Sequence, residues 1–502
     1  MRRVIVGLPA EWPDSQAPWA QLPPDFLDVC FCMSDCKIKL LAEERAFEMH
    51  ELFFSTTDSR GIIRHGNAVF TRISDYSESE LIGAPHNIIR HPDMPRSVFK
   101  LLWDYLEAGR TIAAYVKNLA KDGRYYWVLA VVMPCPGGYL SIRLKPSSPL
   151  HSTVETLYRD TLAIEQRHEV STSHRKQAML AGLEHIDTTI KSLGFPNYDA
   201  FMWHALSVEM ASRHAFLSKR RTIGAREHFS GRGELGNVQA SCQRVESHLQ
   251  NLFDDLATFR TLNDKLVNKS ATILDMADAI YALSLNATIA AHRGGQTGAI
   301  LAVAAEELGA RAADNEQIID RLVKKMTEFA PLLGDLIFGV AVAKLQSEVS
   351  SYYLRELVES GDESSREEMR ESLEVLLNQL LDRCRDLSAH MKSCGYELNE
   401  LATLVRELKR NARALRFVQF AGIKEAQQQS DSDSFKVVFQ EVREEIQRTK
   451  IECEDLANDV AESLSIVQKI HHEESEIASD LKWLADFADL ITKGDLVPQL
   501  AY

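Results

Sequence analysis

The sequence predicts a small antiparallel α+β domain followed by an all-α, long antiparallel four-helix coiled-coil bundle. Three observations carry this. Strand-like runs are confined to the stretch between Leu52 and Leu144. Beyond it, four helical arms of about 60 residues each are separated by polar breaks, and equal arms joined by short loops pack antiparallel. The chain also repeats itself. Superimposing Ile289 on Ile423 places Leu301 on Phe435, Glu307 on Glu441 and Leu308 on Val442 without a gap. Each copy reads as helix, tight reversal, helix, and a duplicated helical hairpin points to signalling rather than to a catalytic globule.

Residues 1–50 read as an N-terminal cap, rich in Pro, Asp and Trp at first and helical from Lys37 to His50. Residues 51–147 form the sheet domain. Phe53–Thr57 reads as a strand, Asp58-Ser59-Arg60-Gly61 as a turn, and Ile62–His65 as the returning strand, because Gly tolerates positive φ and Asp bonds its own backbone. Pro95 suits the start of a helix over Arg96–Leu106, with Val98, Leu101, Leu102 and Tyr105 on one face. Three β-like runs, Ile112–Lys117, Tyr125–Met133 and Tyr139–Leu144, close the unit. Residues 148–235 form a helical linker, broken at Gly194-Phe195-Pro196-Asn197.

Residues 236–358 and 366–493 are the two hairpins, each arm about 90 Å long at about 1.5 Å rise per residue. The last arm carries Phe435, Phe439, Val442, Ile446, Thr449, Cys453, Leu456, Val460, Ser463, Val467 and Ile470 in alternating steps of four and three, a coiled-coil seam. Shifted by the repeat offset, the same seam reads Leu301, Ala305, Leu308, Ala312, Asn315, Ile319, Leu322, Met326, Phe329, Leu333 and Leu336. Pro331 is expected to kink its helix.

The formal net charge of -15 argues against nucleic acid or an anionic membrane as the main partner. No secretory leader is visible after Met1-Arg2-Arg3, and the most apolar window, Phe329–Ala343, is too short to span a bilayer. A cytoplasmic chain without an integral membrane segment is expected. Cys30, Cys32 and Cys36 lack the paired spacing of a zinc site. No P-loop, dinucleotide fingerprint or kinase glycine box is present, so an enzyme is not expected. His168 and His174 read as exposed helix residues.

The segment Leu285-Asn286-Ala287-Thr288-Ile289-Ala290-Ala291-His292-Arg293-Gly294-Gly295-Gln296-Thr297-Gly298, continued by Ala302, Val303, Ala305 and Glu307, resembles the signalling hairpin tip of methyl-accepting chemotaxis proteins. The resemblance implies that Asn286, Ile289, Arg293, Gly295, Gly298, Val303 and Glu307 form a partner-binding tip for a chemotaxis histidine kinase and its coupling protein. In that family two chains build the bundle. The duplicated hairpin here implies a monomer with an intramolecular four-helix bundle, or a homodimer joined through its sensor domains. Ala290, Ala299 and Leu301 depart from the family pattern, and the second copy lacks the glycines and the Arg. Glu367-Glu368 and Glu444-Glu445 fit either methyl-accepting sites or a solvated helix face.

Residues 51–147 resemble the PAS sensor domain of aerotaxis receptors. The resemblance rests on Ser55-Thr56-Thr57-Asp58, Asn67, Pro85-His86-Asn87-Ile88-Ile89-Arg90-His91-Pro92-Asp93-Met94-Pro95, Trp103, Val116-Lys117-Asn118, Lys121-Asp122-Gly123, Tyr126-Trp127-Val128 and Ser141-Ile142-Arg143. It implies bound FAD that reports redox state, with Asn67, Arg90, His91, Asp93, Trp103 and Asn118 at the cofactor. Trp103 can pack on a flat ring, Arg90 and His91 can face phosphate or ring oxygens, and Asn118 can donate and accept at a ring edge. An empty or small-ligand PAS domain is one alternative and haem another, with His65, His86 or His91 available as axial ligand. Two plainer readings stand beside these: Asp93 capping the helix near Pro95, and Trp103 as core. The whole reads as a chemoreceptor-like transducer for aerotaxis or energy taxis, or as a PAS-bearing interaction scaffold that has lost kinase coupling.

Overall fold

The computed structural model describes residues 38–172, 175–221, 234–293, 299–359, 363–427 and 433–492. Among these, one compact unit draws on the residues up to Gln243 and on Ala341–Leu381. A second comprises Arg244–Val340 and Asp382–Lys482.

In the first unit, β1 (Phe53–Asp58) and β2 (Ile63–Gly66) form a hairpin. Its turn is tied by Asp58, whose Oδ1 accepts from the N–H groups of Arg60 at 2.8 Å and Ile62 at 2.9 Å, while Gly61 takes φ 77°. Then come α1 (Ala68–Ser74), α2 (Glu78–Leu81), a 3-10 turn at His86–Ile89 and α3 (Arg96–Glu107). β3 (Ile112–Leu119), β4 (Tyr125–Cys135) and β5 (Gly138–Leu144) complete an antiparallel sheet in the order β2-β1-β5-β4-β3. Every strand expected from the sequence is present.

The helix expected over Lys37–His50 is not. From residue 38 the chain runs irregular or extended, bridges Glu44 to Tyr125, and donates from Leu41 N–H to Gly123 O and from Arg45 N–H to Tyr125 O. The backbone bonds that a helix would close locally go instead to the β3–β4 turn, a partner that local periodicity cannot reveal. The rest of the N-terminal cap lies outside the described residues.

Side chains alternate between the two faces of the sheet. Phe53, Ser55, Tyr126, Ala130, Ser141 and Arg143 face α1, the 3-10 turn and α3. Phe54, Tyr115, Trp127 and Met133 face the other way. This outer face is covered by the linker helices α4 (Leu150–Thr172), α5 (Arg175–Ser192) and α6 (Tyr198–Arg221). Trp127 meets His151 edge-on at 5.0 Å, and Tyr198 Oη donates to Ala113 O. Two buried carboxylates lock the linker on. Glu209 of α6 accepts from Tyr115 Oη, from both hydroxyls and from both backbone N–H groups of Ser147 and Ser148. Glu165 of α4 accepts from the N–H groups of Arg96 at 2.9 Å and Ser97 at 2.8 Å, the free donors at the start of α3. The plainer reading of Asp93 assigned this cap to it. Gly182 of α5 passes so close that an added Cβ would lie 2.8 Å from Glu165 Oε1.

The helices α7 (Glu234–Arg293), α8 (Ala299–Glu359), α9 (Glu363–Gln427) and α10 (Asp433–Thr492) are 60, 61, 65 and 60 residues long. In the second unit all four contribute to one core: Ile280 and Ala287, Leu301 to Ala312, Leu415, and Val442 with Ile446. Ion pairs follow an antiparallel order. Arg244–Asp480 and Lys269–Asp459 link α7 to α10, and Lys325–Glu397 links α8 to α9. The expected seam of α8 is buried at all eleven positions, and that of α10 at every position from Val442 to Ile470. The side chains of Phe435 and Phe439 and the turn Gly294–Gly298 lie outside the described residues. Helix α8 runs on through Pro331. An 18-residue window of α8 is long and apolar enough to cross a bilayer, and 61% of it is buried within the protein.

Candidate functional site

The inner face of the sheet carries the site. Its centre is lined by small side chains: Ala114 opposite Ala130, Ala130 opposite Arg143, and Ser141 opposite Ser55. Arg143 is 3% exposed. Its Nη2 donates to Ser55 Oγ at 3.0 Å and meets His86 Nε2, and its guanidinium lies over the Phe70 ring at 5.3 Å. Burial lowers this guanidinium to about 10, which leaves it charged at neutral pH. Burial and the neighbouring Arg143 hold His86 well below the usual imidazole range, so it is neutral. No carboxylate among the described residues pairs with Arg143. Three buried atoms on this one face lack any hydrogen-bond partner: Arg143 Nη1, Tyr126 Oη and Ser141 Oγ. Orphaned buried polar atoms are costly, and three on one face are groups that a polar ligand or ordered water could satisfy.

At the end of β3 the backbone of Arg90 bridges that of Asn118. Asn118 is 3% exposed. Arg90 donates to Met94 O at 2.9 Å and lies 4.1 Å from the Phe99 ring. His91 is buried, and its Nδ1 accepts from Asp93 N–H at 3.1 Å. Burial first, then Lys117, depresses His91 to about 4 against the opposing pull of Asp93. Asp93 pairs with Lys117 at 2.6 Å. Arg90, His91, Asp93 and Asn118 are thus brought together. Trp103 stands apart on α3, edge-on to Tyr139 at 5.4 Å and over Gly61.

Asn67 is committed to backbone. Its Oδ1 accepts from the N–H groups of Phe54 at 3.2 Å and Phe70 at 3.3 Å, and its Nδ2 donates to Leu52 O at 3.2 Å. It caps α1 and joins it to β1. His65 is on the outer face, hydrogen-bonded to Tyr353 of α8. His86 is engaged by Arg143 and Ser55. Neither offers a free Nε2 as an axial ligand. Residues 63–137 match the PAS fold. The PAS region is 41% identical over 110 residues to the aerotaxis receptor of Escherichia coli (strain K12), a match covering 21% of this chain. The chain spans 22% of the length of that receptor.

The sequence signal missed for the site is the alternation in β5. Within Gly138-Tyr139-Leu140-Ser141-Ile142-Arg143-Leu144, the polar Ser141 and Arg143 fall at the inward positions of a strand buried on both faces. A charged residue at such a position of the PAS domain is a functional signal by itself.

At the expected partner-binding tip in the second unit, Asn286 is exposed, Ile289 is 54% and Val303 66% exposed, and Glu307 pairs with Arg311 at 2.8 Å. Gly295, Gly298 and the Arg293 side chain lie outside the described residues.

Proposed function

We propose that this chain is a non-enzymatic, cytoplasmic, chemoreceptor-like transducer that senses redox state or oxygen through its PAS domain and signals through the bundle tip to a chemotaxis histidine kinase and coupling protein. The likeness of the PAS region to an aerotaxis receptor supports the sensory half. The four long helices after it support the signalling half.

The single observation that carries the cofactor reading is the convergence of three unpartnered polar atoms and an uncompensated buried cation on the inner face of the PAS sheet. FAD is the group we propose. It supplies reversible electron uptake when bound. Its ring edge and phosphates offer the acceptors that Arg143 Nη1, Tyr126 Oη and Ser141 Oγ lack. Arg90, His91, Asp93 and Asn118 would hold the cofactor from the β3 side, and Trp103 would cover it from α3. Asn67 would act by fixing β1 to α1 rather than by touching the ligand.

The absorbance spectrum of the purified full chain, followed by extraction and chromatography of the cofactor, tests this reading. Flavin bands and extractable FAD are expected. A haem Soret band, or a colourless protein that fails to take up added FAD, would overturn it.

A further inference from the structure

One stretch of α8 is unlike the rest. In its seam region only one stripe is buried, yet every residue from Leu336 to Ser351 is buried. Much of that stretch is polar: Lys344, Gln346, Ser347, Glu348, Ser350 and Ser351. The part from Ala341 onward belongs to the same compact unit as the PAS domain.

Several of these polar groups find partners in that domain, in its linker or at the start of α7, while Gln346 Oε1 and Ser351 Oγ have none. Glu348 takes a bidentate pair from Arg213 of α6 at 2.6 and 2.7 Å, with the two side chains 7% and 1% exposed. The same Arg213 donates to the carbonyls of Met49 and His50, just ahead of β1. Gln346 Nε2 meets Met133 Sδ of β4 at 3.1 Å, and Ser347 Oγ donates to Cys242 O at 3.0 Å. Glu356 Oε1 accepts from Ala68 N–H at 2.8 Å. Tyr353 Oη and His65 Nε2 of β2 are hydrogen-bonded, and the Tyr353 ring is edge-on to Phe54 of β1 at 4.9 Å. Buried polar groups with specific partners fix one docking geometry and penalise others, which a plain apolar face does not do.

β1 connects this surface to the cofactor face. Phe53 and Ser55 point inward, towards Phe70 and Arg143, while Phe54 between them points outward to Tyr353. Adjacent strand residues share one backbone, so a shift imposed on the inner pair is felt by the outer residue. Resting on the sensory reading above, we propose that the PAS domain passes its state directly to α8, with the outer edge of β1–β2 as the sending surface and Ala341–Leu357 as the receiver. The linker α4–α6 clamps this contact through Arg213.

Hydrogen exchange with mass spectrometry on the full chain tests the coupling. Phe53→Leu and Ser141→Val perturb the inner face without touching α8. Each is expected to raise exchange in Ala341–Leu357 while Leu301–Leu322 stays unchanged. Tyr353→Phe, which removes the hydroxyl alone, is expected to raise exchange in Phe53–Gly66 about fivefold, the size of one net hydrogen bond. His65→Leu should match it, and His65→Gln, which keeps an acceptor, should restore the protected state. Unchanged exchange in Ala341–Leu357 for both inner-face variants, or in Phe53–Gly66 for Tyr353→Phe, overturns the proposal. The measurement uses the protein as purified, whatever its colour. A colourless protein therefore defeats the flavin reading and leaves this test standing.

Discussion

Helix α8 contains two stretches that are buried by different rules. From Leu301 to Leu336 burial follows the heptad, one residue in three or four, and the buried residues are mostly Leu, Ile, Ala, Met and Phe. From Ala341 to Leu357 burial ignores the heptad, and the buried set includes a Lys, a Glu, a Gln and three Ser. The first stretch is generic. Any second hairpin with a matching stripe could cover it, and its stability comes from area removed from water. The second is particular, because each polar group needs its own partner at its own place. Periodic burial builds the core shared by the four long helices, and buried polar groups with specific partners tie Ala341–Leu357 to the sheet domain and its linker.

The sharpest way to break that contrast is to remove one charge of the ion pair in Ala341–Leu357. Glu348→Ala removes the carboxylate that pairs with the buried Arg213 guanidinium, and the full chain should lose about 3–5 kcal/mol in denaturant unfolding. Glu348→Leu combined with Arg213→Met should recover part of that loss, because two buried charges are removed together. A Glu348→Ala chain as stable as wild type would show that the pair is not buried in solution. In the seam, Leu322→Ala should cost about 2–5 kcal/mol through the cavity it leaves. Val303→Ser, on the exposed face of the same helix, should stay within about 0.5 kcal/mol. Equal effects at the two positions would refute the seam.

Smaller effects sharpen the picture of the PAS domain. Asn67→Ala should cost about 1–2 kcal/mol by removing a helix cap, and should leave the extracted FAD-to-protein ratio unchanged, as expected of a residue bonded wholly to backbone. A further effect is on pH. His65 and His91 are depressed by burial from 6.5 to about 4. Their neutral forms are the folded forms, so stability is fully present above pH 6.5 and falls as pH drops from 6.5 towards 4, where the unfolded chain binds protons that the folded chain refuses. Melting temperatures from pH 7 to 4.5 should decline less steeply for His65→Gln than for wild type.

Much of this was legible in the sequence, for physical reasons that differ by region. The seam positions could be read one by one because a helix against a helix buries every third or fourth residue. The five strands could be read because alternation and turn chemistry are local: Asp58 and Gly61 announce their turn within four residues. The helix expected over Lys37–His50 is absent because the backbone partners of that stretch lie at the β3–β4 turn, some eighty residues away. For the same reason local sequence does not reveal that the acceptor at the start of α3 is Glu165 of α4, and only the plainer reading of Asp93 offered a cap there. Arg90, His91, Asp93 and Asn118 were singled out by family resemblance, and the fold brings them together. Arg143 and Tyr126 were quoted in that resemblance without a role. Their significance is that Arg143 Nη1 and Tyr126 Oη lack hydrogen-bond partners, a property only a folded structure has.

The central claim is that a redox-sensing PAS domain controls a kinase through the helical bundle. Its most direct test is phosphorylation by a chemotaxis histidine kinase reconstituted with its coupling protein, with the full chain present in oxidised or chemically reduced form. The account predicts that kinase activity depends on the chain and differs between its two redox forms. Identical phosphorylation with the oxidised chain, the reduced chain and no chain at all would contradict it.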